Sequence, residues 1–179
     1  MDVTNLVTDA QAGNKKAFGS LIDKYYKRIY RMAYQYTGCH SEADEVCQET
    51  FLKALKNLRK LKKKSSFKQW LFSISSNILR ARHKRKQLFG KFLDSTSYTE
   101  SRVSDQPFEQ LSQHETQRMI QQCLQEMPEH IRLVSIMVLM EGVNQKEVAS
   151  VLKFSESSVS RYLSTGKCLL REKLMKAVQ

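Results

Sequence analysis

The chain is poor in the residues that punctuate turns, with 2 Pro and 6 Gly among 179 residues. So few breakers, alongside abundant Lys, Gln, Leu and Met, point to a mostly helical protein. No alternating apolar–polar run bounded by turn residues argues for a strand. No apolar stretch approaches the roughly 20 residues that span a bilayer, and the opening MDVTNLVTDA lacks the pattern of a signal peptide. An intracellular, cytoplasmic protein is expected. Cys39, Cys47, Cys123 and Cys168 form no C-x-x-C pair. Cys39-His40 with Cys47 comes nearest to a metal cluster, but its spacing is wider than zinc sites use, so buried or incidental thiols and no metal are expected. Disulfides do not suit a reducing compartment. His40, His83, His114 and His130 are scattered, and no phosphate-binding Gly loop or metal-flanking carboxylate cluster stands out. The chain is therefore expected to be no enzyme, without cofactor or small-molecule substrate.

One absence is local. Between Glu49 and Asp94 there is no acidic residue, while Lys and Arg recur throughout. Inside that gap lies FKQWLFSISSNILRARHKRK, residues 67–86, which joins the only tryptophan to serines, an asparagine and a dense basic tail. The net charge of +12 is confined to one half: residues 1–90 hold 19 Lys and Arg against 7 Asp and Glu, and residues 91–179 hold 11 of each. Such an asymmetry implies a polyanionic partner, either nucleic acid or an anionic membrane surface; charge alone leaves both open.

A first helical block is expected from about Ala10 to Lys86. Phe18, Leu21, Ile22, Tyr25, Ile29, Met32 and Ala33 recur at three- and four-residue steps, an amphipathic stripe. Gly38 is placed to end that helix. Ser41 is expected to cap the next, whose inner face would be Ala43, Val46, Cys47, Thr50, Ala54, Leu55 and Leu58. KKKSS reads as a loop. Residues 87–112, rich in Ser, Thr and Asp, read as a linker. A second block follows, with Pro128 at a helix start and the apolar run IRLVSIMVLM.

EGVNQKEVASVLKFSESSVSRYLSTGKCLLREKL fits a helix-turn-helix. Asn144 caps its first helix, with Glu147 expected to reach back. Val148, Ala149 and Leu152 face inward, Ser155 caps the second helix, and Val159 and Leu163 hold it. Ser157, Ser158, Ser160, Arg161, Ser164 and Lys167 are left outward, where a recognition helix meets a major groove. Lys153 stands where the turn usually has Gly; a left-handed backbone there would cost about 1 kcal/mol, so a slightly altered turn is expected.

The order of the two blocks resembles the sigma-70 family of initiation factors. EADEVCQETFLKAL with SSFKQWLFSISSN resembles the family's second conserved region, and MPEHIRLVSIMVLMEGVNQKEVASVLKFSESSVSRYLSTGKCLLREKL its fourth. Short length, with only a linker between, is similar to the extracytoplasmic-function group. The resemblance covers about 10–86 and 112–175. It implies an all-α chain of two small helical domains, 1–88 (a region 2 bundle) and 113–179 (a region 4 helix-turn-helix), joined by a flexible linker at 89–112. It further implies binding to RNA polymerase core through the β′ clamp helices and the β flap, promoter recognition and melting, and control by an anti-sigma protein.

Carried onto this chain, the resemblance makes Asp44, Glu45, Gln48 and Glu49 the core-binding face. An acidic patch within so basic a half suits a basic protein partner. Lys62, Lys63, Lys64, Ser65 and Ser66 would form the loop at the −10 element, with Ser73, Ser76, Asn77 and Arg80 on the following helix. Arg82, Lys84, Arg85 and Lys86 would contact phosphates, and the six outward residues of the recognition helix would read the −35 element. Trp70 is read as seating its helix in the core, with stacking on DNA as the alternative. No ATPase motif is visible, so melting must come from preferential binding of the opened strand. Extruding a base costs a few kcal/mol, and stacking on a protein aromatic returns roughly 1–3 kcal/mol.

Two other readings use the same features: a sigma-like decoy that binds an anti-sigma protein without DNA, and a stand-alone helix-turn-helix regulator. The cationic run argues against the decoy. Linker length bears on the regulator. Two duplex turns measure about 70 Å, whereas a flexible coil as long as residues 87–112 averages roughly 30 Å and reaches about 90 Å only when extended. The free protein is therefore expected to bind promoters weakly and without selectivity, specificity appearing with core polymerase. Gel shifts with and without core check this; tight, selective duplex binding by the chain alone would favour the regulator.

Overall fold

The computed structural model describes the backbone of residues 2–93 and 111–176 and the side chains of 2–89 and 115–175. Eight α-helices make up most of these residues: α1 (Val3–Gln11), α2 (Lys15–Thr37), α3 (His40–Asn57), α4 (Phe67–Leu93), α5 (Leu111–Glu126), α6 (Glu129–Ser135), α7 (Gln145–Leu152) and α8 (Glu156–Lys176). The expected linker lies largely outside the described residues. At its edges helix continues further than expected, to Leu93 and from Leu111.

The first half forms around α2. Asn14 caps it, its side chain accepting from the amides of Lys16 and Ala17 at 3.0 and 3.2 Å. Gly38 ends it at φ 71°, the left-handed turn that glycine adopts without a Cβ clash. Leu21, Ile29, Met32 and Ala33 are fully buried on its inner face, and Ile22 only partly so. Each of the large ones contributes about 1.5–3 kcal/mol by leaving water. Helix α1 precedes the block inferred from periodicity; Leu6 and Val7 bury it, and the Gln11 amide donates to the carbonyls of Leu58 and Leu61, both at 2.9 Å.

Helix α3 starts at His40 and not after a Ser41 cap, because only Cys39 separates it from Gly38. Its buried face is Ala43, Val46, Cys47, Thr50, Phe51, Ala54, followed by Leu58 in a short 3-10 turn. Leu55, expected inside, is 53% exposed, and Leu52 58%. The KKKSS loop is part extended and part 3-10 turn, over Lys64–Ser66.

In the second half Pro128 precedes α6, which runs on through a π-helical turn, Ile136–Met140. This wider turn was not visible in the apolar run, since Ile136–Met140 are all hydrophobic and carry no periodic pattern. The helix-turn-helix forms as expected: Asn144 accepts from the Glu147 amide at 2.8 Å, Ser155 from the Ser158 amide at 3.1 Å, and Val148, Ala149, Leu152, Val159 and Leu163 are buried. Gly166 lets α8 lie close on α6, where a Cβ would stand 2.0 Å from the Ser135 hydroxyl.

The turn is not altered at Lys153. That residue takes φ 58°, ψ 43° and caps α7, the backbone conformation a glycine would have taken. The strain is accepted there because helices on both sides hold the turn. Replacing Lys153→Gly is expected to raise stability by about 1 kcal/mol, read as a higher denaturation midpoint in urea with unchanged slope.

Candidate nucleic-acid interface

The long helix α4 carries the cation-rich surface, and its position follows from Phe67, Leu71, Phe72, Ile78 and Leu79, all buried against the first-half core. Trp70 lies half-buried against the Phe67 ring, centroids 5.9 Å apart, as a partner of the core. Ahead of the helix, Lys62, Lys63 and Ser65 are exposed, while Ser66 is half-buried. Lys64 is half-buried and donates to the Thr8 hydroxyl at 2.9 Å.

On α4 itself the expected base-reading residues divide. Asn77 is exposed and Ser73 half-buried. Ser76 is 1% exposed and its hydroxyl donates to the Phe72 carbonyl at 2.8 Å, so in this arrangement it is part of the interior and not of a reading surface. Arg80 turns toward the second half, pairing with Glu129 at 3.2 Å and placing its guanidinium 5.1 Å from the Phe154 ring centre.

The phosphate-contact assignment also divides. Lys84 and Arg85 are exposed. Arg82 instead bridges Glu45 and Glu49 at 2.6 and 3.1 Å, and Lys86 pairs with Glu42 at 2.6 Å. The reason is geometric: α3 and α4 lie side by side, so the acids of one helix meet the basic tail of the other. Asp44 accepts from the Tyr26 hydroxyl at 2.9 Å, a bond that pushes the Tyr26 pKa up to about 12. Gln48 is exposed. Glu45, Gln48, Leu52 and Leu55 share one outer stripe by their three- and four-residue spacing, so the acidic face continues into exposed leucines. Of the two leucines, the sequence reading placed Leu55 on the inner face and gave Leu52 no face.

The helix-turn-helix presents its second helix outward. Ser157, Ser160, Arg161, Ser164 and Lys167 are exposed; Ser158 is half-buried, its hydroxyl engaged with Ser155 at 2.8 Å in the cap. Residues that periodicity could not reveal tie the halves together. Arg28 and Arg31 of α2 meet Glu141, and Gln69 of α4 donates to Glu147 at 2.8 Å. Glu147 therefore does not reach back to its own helix start. Among the described residues no group of three His, Cys, Asp or Glu is placed to hold a metal ion, and no helix is long and apolar enough to cross a membrane.

The arrangement defines a class first: an all-helical chain that joins a cationic bundle to a helix-turn-helix. Residues 21–88 match the family model for sigma-70 region 2. Along most of its length the chain is similar to the extracytoplasmic-function factor SigW of Bacillus subtilis (strain 168), 24% identical, with 97% of each chain covered. It is 27% identical to the probable sigma factor RfaY of Xanthomonas campestris pv. campestris across 93% of this chain, which spans 42% of that longer relative. The sigma factor RpoE of Bartonella quintana, solved with the anti-sigma factor NepR, shares the fold at a TM-score of 0.74 and 17% identity, with 89% of this chain and 98% of that one covered. Residues 21–88 are thus similar to sigma-70 region 2, and the chain along most of its length is similar to extracytoplasmic-function sigma factors.

The cross-helix ion pairs have a pH signature. Hydrogen bonding from Lys53, opposed by burial and reinforced by Arg82, holds the Glu49 carboxyl below its ordinary value. A depressed carboxyl stabilises the fold above its unfolded pKa, and that contribution is lost as pH falls through the native one. Arg82→Ala is expected to move the Glu49 titration to higher pH, read from carboxyl carbon shifts by NMR.

Proposed function

We propose that the chain acts as an extracytoplasmic-function sigma factor in the cytoplasm: it binds RNA polymerase core, directs it to promoters with particular −35 and −10 elements, and promotes their melting. It is a binding and positioning protein and not an enzyme. The observation that carries the reading is the exposed polar face of α8, Ser157 to Lys167, in the same chain as an exposed cationic loop before α4. Two readers on separate elements suit two promoter elements, with residues 1–88 and 113–179 serving as the two domains and 89–112 as their tether. The stripe Glu45, Gln48, Leu52, Leu55 fits a core-binding role, because apolar anchors within a polar rim are how protein interfaces hold. Lys62, Lys63, Lys64, Ser65, Ser66, Ser73 and Asn77 remain the proposed −10 contacts, with Lys84 and Arg85 on phosphates; Ser76 lies in the interior and Arg80 is engaged with Glu129, so neither is kept as a contact. A relative of the same fold is solved with an anti-sigma protein, which supports control by such a partner here.

Run-off transcription with purified core on a promoter library tests the whole reading; no initiation at any template would end it. Glu45→Arg with Gln48→Ala is expected to abolish capture of core while helicity is retained, and unchanged capture would move the docking site elsewhere. Arg161→Ala is expected to change −35 preference, whereas Lys84→Ala weakens all promoters alike and lowers the salt slope by about one.

A further inference from the structure

A cavity of about 240 Å³ lies where the ends of α2 and α5 meet α4 and α6. Helix α4 supplies Arg82, His83 and Lys86 to its wall, α2 supplies Tyr36, α3 Glu42 and α6 Arg132. Of these, Arg82, Lys86 and Arg132 are cations, and only Glu42 is an acid. Lys86 holds the Glu42 carboxylate at 2.6 Å. Arg82 is drawn to Glu45 and Glu49, neither of which lines the cavity.

Arg132 is the unusual member. It is 6% exposed, and it pairs with no carboxylate among the described residues. Its Nη groups donate to the carbonyls of Tyr36, Gln125 and Met127 and to Gln125 Oε1, at 2.6 to 3.2 Å. The negative ends of α2 and α5 therefore screen its charge, yet its Nε meets no acceptor among the described residues. The Tyr36 hydroxyl, on a residue 3% exposed, meets none either. The Arg132 guanidinium carbon stands 5.0 Å from the Tyr36 ring centre, so the two spare donors are close neighbours. Burial pushes the Tyr36 pKa well up, which keeps its proton available to donate. Buried donors left unmet are costly. Water can satisfy a lone donor; two donors in a wall with more cations than acids select an acceptor-rich anion. The cavity is smaller than the roughly 300–1,000 Å³ of drug-sized sites, so that anion is small.

We propose that this cavity binds a small phosphate-bearing ligand, free phosphate or a phosphomonoester, through Arg132 Nε and the Tyr36 hydroxyl, with Arg82 beside them and Lys86 keeping Glu42 from repelling it. None of these residues is among the proposed promoter contacts, so the site goes beyond the sigma-factor reading and does not rest on it.

The full-length chain is titrated with sodium phosphate, with ribose 5-phosphate and with a short single-stranded DNA, at an ionic strength held constant with chloride. Arginine Nε–Hε signals are followed by NMR. Saturable shifts at Arg132, absent with chloride alone, are expected with at least one of the two phosphate compounds. Tighter binding of ribose 5-phosphate marks a phosphomonoester site, and equal or tighter binding of phosphate marks the free ion. Tyr36→Phe removes only the hydroxyl and is expected to weaken binding about tenfold, the loss of one hydrogen bond to a charged group. Lys86→Gln, at a side chain 62% exposed, is expected to weaken it as well, because Glu42 is then unopposed. Lys24→Ala removes an exposed cation elsewhere and is expected to change nothing. Circular dichroism checks that each variant keeps native helicity; should Tyr36→Phe not fold, Lys86→Gln against Lys24→Ala decides. The site is refuted if neither phosphate compound moves Arg132 beyond the chloride control, or if folded Tyr36→Phe binds as the unaltered chain does. It is refuted equally if Lys24→Ala weakens binding as much as Lys86→Gln, a bulk charge effect, or if only single-stranded DNA shifts Arg132, which makes these residues part of a strand-binding surface.

Discussion

Helix α2 is shared by both halves of the molecule, and the polar groups it must keep satisfied constrain everything around it. Its inner face fills the first-half core with Leu21, Ile29 and Met32. Its outer arginines reach across to Glu141, and its last carbonyls are met by Gln121, Gln125 and Arg132. The last turn of a helix leaves four carbonyls without partners, and burying them unmet is costly. Here side chains from the second half supply the donors. The halves are thus joined by hydrogen bonds that neither can make alone.

The same economy governs the cationic surface. A half carrying the whole surplus of +12 would repel itself if its basic residues stood together unopposed. Helix α3 places Glu42, Glu45 and Glu49 beside Arg82 and Lys86, so part of the basic tail is neutralised internally. Lys62, Lys63, Lys84 and Arg85 remain exposed. In the proposed function this sorts the cations: some fix α4 against α3, and others face the phosphates. Exposed ion pairs of this kind contribute little stability on average, so their role is to set the register of the two helices.

In the proposed function, melting without a motor rests on preferential binding of the opened strand, against an extrusion cost of a few kcal/mol per base. Such a balance is easily tipped by a competing contact inside the protein. The stripe of α4 that ends in Gln69 and Arg80 already has partners of its own in Glu147 and Glu129.

The helical class, the core stripe of α2, its end at Gly38, the caps at Asn144 and Ser155 and the outward face of α8 were all legible in the amino-acid order, because each depends on neighbours within one or two turns. The missed features depend on distance. Leu55 was placed inside because periodicity marks a face but not what covers it, and α1 escaped because its apolar run is short. Lys153 kept the turn that glycine would have eased, since packing on both sides outweighed about 1 kcal/mol of strain. The roles of Arg80, Arg82 and Lys86 changed because another helix arrived beside them, and that of Ser76 because it faces the interior and bonds to the Phe72 carbonyl. By itself, then, the sequence determined which segments coil, which faces turn inward and where the charge lies. Only the tertiary structure decided which charges meet, since hydrogen bonds and ion pairs between residues 33 to 113 positions apart carry no periodic trace in the chain.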